Sequence, residues 1–330
     1  MDALADSGGT ALMFASGAGF VNSTAALLEA GADPNIIVLA TPEYIEQVAQ
    51  AIAEGKEGVE PHKDGLTALM LAAEGGFNDV IQLLVAAGAD VDVADDEAMT
   101  PLLNAIKGNH FEAAAYLVDH GANANDEWVD DKGVIHNLLM FAITEKKATL
   151  SLALIKGGAN VSYVDEAGVT LLTEAAYLGL DDVVEALLRA DADASVSNLE
   201  GITPLIAAAS EGFTEIAANL IKSAQATINA KDKDGTNALM AACVRGHVNV
   251  VELLLANGVN VNAQNNDGHT ALMFAYNGKN QIETLQVKYK EFVPSESDGS
   301  SQAMLEEALS IHRRVIALLI AHGADASIQV

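Results

Sequence analysis

Basic residues, aromatic rings and cysteine are all scarce in this 330-residue chain, and each shortage closes off a class of function. Only 17 lysines and arginines stand against 46 acidic residues, leaving a net charge of -29. Such a surface repels phosphate backbones and anionic lipid, so nucleic acid and membranes are poor partners. The one cysteine, Cys243, cannot close an internal disulfide, which fits a reducing compartment and argues against a thiol nucleophile. No apolar run approaches the roughly 18 residues of a membrane span. The start, Met1-Asp2-Ala3-Leu4-Ala5-Asp6, lacks the basic and apolar segments of a signal peptide. A soluble intracellular location, the cytoplasm by default, is expected.

Aromatic residues make up 5% of the chain although 50% is hydrophobic. The core must therefore be built from Ala, Leu, Val and Ile, which suits thin, closely packed helices. The charge is also uneven: residues 1–131 hold 23 acidic and 3 basic residues.

What is present in abundance is repetition. Aligning Gly268-His269-Thr270-Ala271-Leu272-Met273 with Gly65-Leu66-Thr67-Ala68-Leu69-Met70 opens a register that runs along the chain. Its anchors are Leu12, Leu69, Leu102, Leu139, Leu172, Leu205, Leu239 and Leu272, with steps of 57, 33, 37, 33, 33, 34 and 33. Three residues after every anchor comes an alanine, from Ala15 to Ala275, which puts Leu and Ala on one helical face. A second apolar segment follows, clearest at Val250-Val251-Glu252-Leu253-Leu254-Leu255, and usually ends in Gly-Ala-Asp. Each unit reads helix, turn, helix, turn. Gly31, Gly88, Gly121, Gly158, Gly258 and Gly323 are expected to take the left-handed conformation that stops the second helix.

Thr-x-Leu, paired small residues and Gly-Ala-Asp-x-Asn, in eight copies of one period, resemble the ankyrin-repeat consensus over essentially the whole chain. The resemblance implies an all-α ankyrin solenoid with β-hairpin fingers, L-shaped repeats stacked in one curved array. On that reading residues 1–330 are a single domain, with repeats starting near 9, 66, 99, 136, 169, 202, 236 and 269. The family's usual Thr-Pro-Leu-His becomes Thr-Ala-Leu-Met at Met13, Met70 and Met273, and Asn237-Ala-Leu-Met in the seventh copy. The histidine's polar contact is thus expected to give way to apolar packing.

Three insertions interrupt the period. Residues 36–62 include Thr41-Pro42-Glu43-Tyr44, a cap followed by proline at the first helical position, so a short helix from Pro42 to about Glu54 is expected. Its stripe of Tyr44, Ile45, Val48 and Ile52 serves either packing against the first finger or a partner. Residues 126–136 add two residues to each arm of a finger, lengthening a hairpin without moving its register. That finger carries Trp128, the only tryptophan. It is either a partner's anchor point or folds back onto a neighbouring finger. Residues 277–301 fall between the helices of the last repeat. Ile282, Leu285, Tyr289 and Phe292 continue its first helix, and the loop from Pro294 to Ser301 is either simply solvated or a phosphorylation site.

The resemblance implies a partner surface at the fingertips and the exposed end of each first helix. Carried over by position, it comprises Glu166 and Val169, then Tyr177 and Leu178, then Leu199, Glu200 and Ile202. Asp96, Glu97 and Met99 flank it on one side, Arg245 and His269 on the other, with Trp128 on its lengthened finger. An apolar centre with acidic flanks suits a protein segment that is hydrophobic with basic residues beside it. Acidic tips also keep an extended solenoid soluble.

Nothing points to catalysis, a metal or a cofactor. There is no Cys-x-x-Cys pair, no histidine has the spacing of a zinc site, and Asp95-Asp96 and Asp130-Asp131 lack the ligand pattern of a calcium loop. Ser16-Gly17-Ala18-Gly19 lies between two helices, not after a strand, so it is a repeat turn and not a phosphate loop. The expected function is a non-catalytic scaffold or adaptor that is monomeric unless its repeat ends associate. The alternative is a permanent subunit of a larger assembly that uses its ends or convex face, since the array begins at Thr10 and stops at Val330 without obvious polar caps.

Overall fold

A computed structural model describes residues 2–5, 7–39, 42–54, 64–129, 135–223, 227–292 and 300–327. The chain divides into two compact units, residues 1–160 and 161–330. In the first, the helices α1 (Ala11–Gly17), α2 (Val21–Glu29), α3 (Pro42–Ala53), α4 (Ala68–Glu74), α5 (Asn78–Ala86), α6 (Pro101–Lys107) and α7 (Phe111–Asp119) precede the strands β1 (Glu127–Val129) and β2 (Ile135–Asn137), which lead into α8 (Leu138–Thr144) and α9 (Ala148–Lys156). The second unit holds α10 (Leu171–Leu178), α11 (Asp181–Arg189), α12 (Pro204–Glu211), α13 (Thr214–Ser223), α14 (Ala238–Arg245), α15 (Val248–Ala256), α16 (Ala271–Phe292) and α17 (Ser300–Ala321).

Within each unit first helices stack on first helices and second on second: α1, α4 and α6, or α10, α12, α14 and α16, in one layer, and α11, α13, α15 and α17 in the other. The fold is an all-α repeat solenoid. All eight anchor leucines are at most 3% exposed, and each truncated to alanine would cost about 2–5 kcal/mol through lost burial and the cavity left. The alanine three residues on is what lets the next helix approach.

Every first helix starts from a side-chain cap. The hydroxyls of Thr10, Thr67, Thr100, Thr170, Thr203 and Thr270, and the amide oxygens of Asn137 and Asn237, accept a backbone N–H three residues later at 3.0–3.4 Å. Each such cap is worth about 1 kcal/mol. The methionines that replace the family's histidine are buried, Met13 2%, Met70 1% and Met240 0% exposed. Their role is not purely apolar, which corrects the sequence expectation. The sulfurs of Met13 and Met273 accept the backbone N–H of Thr10 and Thr270 at 3.4 Å, because a thioether keeps a weak acceptor where the imidazole would stand.

The six glycines expected to end second helices all have positive φ, from 78° to 103°. In the fifth repeat Asp191 does the same at φ 62°, in keeping with the tolerance of aspartate for left-handed backbone.

The inserted helix α3 ends at Ala53 rather than Glu54. Tyr44 and Val48 are half-buried, whereas Ile45 and Ile52 remain 41% and 42% exposed. The lengthened finger pairs Glu127 with Asn137, Trp128 with His136 and Val129 with Ile135 in antiparallel register. Equal additions to both arms kept that pairing in step. Helix α16 does run on through Ile282 and Leu285 to Phe292, and α17 already begins at Ser300. Most of the expected loop from Pro294 to Ser301 lies outside the described residues.

Candidate partner-binding surface

The fingertips of the second unit are rigid because one side chain in each tip satisfies that tip's own backbone. The carboxylate of Asp165 accepts the N–H groups of Ala167 and Val169 at 2.9 and 2.7 Å. Asn198 does the same for Glu200 and Ile202, Asp232 for Asp234 and Thr236, and Asn265 for Asp267 and His269. The tips are then tied to one another: Leu199 N–H donates to the Ala167 carbonyl at 3.0 Å, Lys233 N–H to Glu200 at 2.9 Å, and Asn266 N–H to Asp234 at 2.9 Å. Satisfied backbone of this kind holds the outward side chains in fixed places.

On this frame Leu199 is 62% exposed and Glu166 and Glu200 are exposed, while Val169 and Ile202 are half-buried at the roots of their fingers. Tyr177 and Leu178 close α10, the tyrosine 51% exposed and the leucine half-buried. Arg245 ends α14 with its guanidinium 2.7 Å from Glu211, and Lys233 lies 3.3 Å from Glu200. Exposed pairs of this sort contribute about 0–1 kcal/mol, so a partner's charge can exchange with them at little cost. His269 is exposed and meets the Phe274 ring edge-on, centroids 5.9 Å apart. The two rings share a cavity of about 220 Å³ with Met273, Asn277 and Asn280.

Two further residues on this face escaped the sequence reading. Val244 on α14 is 46% exposed and stands five residues past its anchor, the offset of Tyr177, so the repeat register alone could have found it. Glu174 stands two residues past Leu172, half-buried, and its carboxyl is held above the usual range by burial first and by the negative charge of Asp165 second. No motif marks it; its environment arises only when the repeats stack.

The remaining expected residues belong to the first unit. Asp96 and Glu97 are exposed on their fingertip and Met99 is half-buried. The neighbouring Asp95 is 8% exposed and caps its own finger, accepting the Glu97 and Met99 N–H groups at 2.9 and 2.8 Å. Asp126 is likewise drawn inward, accepting from Thr100 Oγ1 at 2.8 Å and Asn123 Nδ2 at 2.7 Å. Trp128 is placed by its backbone in β1, and its side chain lies outside the described ones. In this unit α3 contributes Tyr44 and Val48 to the wall of a cavity of about 490 Å³, lined also by Phe14, Leu71, Asn104 and Lys107.

The only cysteine offers no chemistry on these surfaces. Cys243 is buried in α14, and burial pushes its thiol far up from the ordinary value. Among the described residues no helix is long and apolar enough to cross a membrane.

The geometry of paired helices and bonded fingertips has its counterpart in comparisons with known proteins. The family model of ankyrin repeats in three copies matches residues 39–127, 175–265 and 205–292, more than half of the chain. The chain belongs to the ankyrin-repeat family. Ankyrin repeats generally mediate contacts between proteins. Similar proteins include an ankyrin repeat and KH domain-containing protein of Caenorhabditis briggsae, 31% identical over 134 residues, 37% of this chain and 5% of that one. The B-cell lymphoma 3 protein homolog of Mus musculus is 32% identical over 99 residues, 29% of this chain and 22% of its own length. A mitochondrial disaggregase of Homo sapiens is 40% identical over 75 residues, 23% of this chain and 9% of that protein. This ankyrin-repeat chain thus spans under a quarter of the length of each of these relatives.

Proposed function

We propose that this chain is a non-catalytic interaction scaffold whose second unit grips a segment of another protein, an apolar stretch flanked by basic residues. The observation that carries this reading is the exposure of Tyr177 (51%) and Leu199 (62%) on supports whose backbone is already satisfied. Large apolar groups held rigidly in the open are the usual anchors of protein interfaces, since ordering them costs little further entropy. The surrounding acids accelerate and orient docking, so binding weakens as salt rises. The test is affinity capture from cell extract with the wild-type chain, Tyr177→Ala and Leu199→Ser, each shown to be folded by circular dichroism. A partner retained by the wild type and lost from both variants is the expected result. Equal capture by all three removes the surface from consideration.

A second reading, a permanent subunit of a larger assembly, draws support from the long hairpin of α16 and α17, where Leu285, Val287 and Met304 are 55%, 57% and 68% exposed. Stable co-purification at fixed stoichiometry through high salt, lost on Met304→Glu with Leu285→Glu, would favour it.

A further inference from the structure

Glu174 is the acidic group on the second unit's binding face with the least reason to be there. Resting on the scaffold reading, we propose that it is the receptor for a basic side chain of the partner, an arginine or lysine laid across the Tyr177 ring. Three observations meet at this point. The carboxylate is half-buried, and neither a hydrogen bond nor an ion pair engages it among the described residues. Tyr177 follows three residues later on the same helix, about 5–6 Å away between Cβ atoms, with its side chain half exposed. On α12, the first helix packed against α10 within this unit, the positions equivalent to Glu174 and Tyr177 are Ala207 and Ser210, both small and neither a cation.

The one charge that acts on Glu174 inside the unit is repulsive. Asp165, the group that acts on it electrostatically, is itself negative and is occupied by Ala167 and Val169 N–H. Glu166 lies exposed on the same finger. A carboxylate in the first turn does gain from the helix dipole of α10, but a fully solvated one would gain as well. The Thr170 hydroxyl already caps the helix through Thr173 N–H at 3.0 Å, so no capping duty falls on Glu174. A cation arriving from outside meets a carboxylate with unfilled acceptor sites, the negative charge of Asp165 and an aromatic face. That combination suits a guanidinium above all, through a charge-assisted hydrogen bond on one side and a cation–π contact on the other. The aliphatic residue next to it in the partner would rest on Leu199 and Ile202.

The test pans a displayed library of random peptides on the immobilised full-length chain and on three variants, and measures the selected peptides by fluorescence anisotropy. On the wild type the pool should become rich in arginine or lysine beside an aliphatic residue. Glu174→Gln, which keeps the shape and removes the charge, should weaken such peptides about tenfold. Glu174→Lys should turn the pool away from basic residues and toward acidic ones. Tyr177→Ala should lose the pool altogether. A basic consensus bound equally by Glu174→Gln, or a wild-type pool without basic residues, overturns the role of Glu174 while leaving the groove standing. Unchanged selection on Tyr177→Ala, or no enrichment on the wild type, overturns the scaffold reading and this inference with it.

Discussion

Asp165 and Glu174 lie close enough in the second unit for one negative charge to disfavour the other, and only Asp165 is stabilised by its own finger. Glu174 therefore keeps its proton to higher pH than it would in the unfolded chain, burial being the larger cause and Asp165 the smaller. An acid whose folded pKa is raised contributes stability that is fully present below its unfolded pKa and is lost as pH rises through the folded one. Glu174→Gln should therefore raise the urea midpoint at pH 7 above wild type. The gap should close by about pH 4, near the ordinary glutamate value. A midpoint lowered at pH 7 would show that the carboxylate has an internal partner.

His247 behaves oppositely. Its ring is half-buried with Nε2 3.0 Å from the Ser210 carbonyl, and its pKa is lowered, mainly by burial and less by the charge of Arg245, with the Ser210 bond opposing. A base whose folded pKa lies below its unfolded value binds protons more readily when unfolded, so stability falls as pH drops below about 6.5 toward the folded pKa. Wild type should lose more stability between pH 7.5 and 5.5 than His247→Asn. A ring titration followed by NMR should place His247 below the ordinary imidazole value.

The fingertips make a prediction of opposite sign at two equivalent positions. Gly201 has φ 81°, and a Cβ there would lie 2.8 Å from the Asp232 Cα of the next tip. Gly201→Ala should cost at least about 1–2 kcal/mol by denaturant titration, from left-handed strain alone. Ala98 holds the corresponding turn position at φ 61°, already carrying that strain. Ala98→Gly should stabilise the chain by up to about 1 kcal/mol, and a loss of stability would show that the Ala98 methyl packs usefully.

Cys243, fully buried in α14 with its thiol pushed well up, should be inert to an aromatic disulfide reagent at pH 8 in native buffer. It should react fully in 6 M guanidinium. Its slow native rate should respond to core substitutions such as Leu205→Ala, because reaction requires the repeat to open.

Much of this was legible in the sequence, and the physical reason is local. The anchors, alanines, caps and terminal glycines act within a single helix or turn, so Leu172, Thr170 and Gly158 declare themselves by type and spacing. Tyr177 was reached by carrying the family's surface positions onto this chain, and it is 51% exposed. What was not legible depends on neighbours. The burial of Asp95 and the inward bonds of Asp126 leave no mark on the sequence, and Glu174 is one glutamate among many until stacking buries it beside Asp165. Asp191 in a glycine's place was invisible to a search by residue type. The methionine sulfurs at Met13 and Met273 accept hydrogen bonds that apolar patterning had no means to show.

One arrangement sets how such a molecule can change over generations. In five of the described fingertips a single Asp or Asn, at positions 95, 165, 198, 232 and 265, carries the conformation of the turn. The residues that follow it contribute mainly main-chain atoms. Conformation and recognition are thereby written in different letters of the same short loop. Drift or directed randomisation can run through Glu166, Leu199, Glu200, Lys233 or Asp267 while the clamp and its glycine keep the tip in place. New specificity is then reachable by single substitutions, with no excursion through an unfolded ancestor.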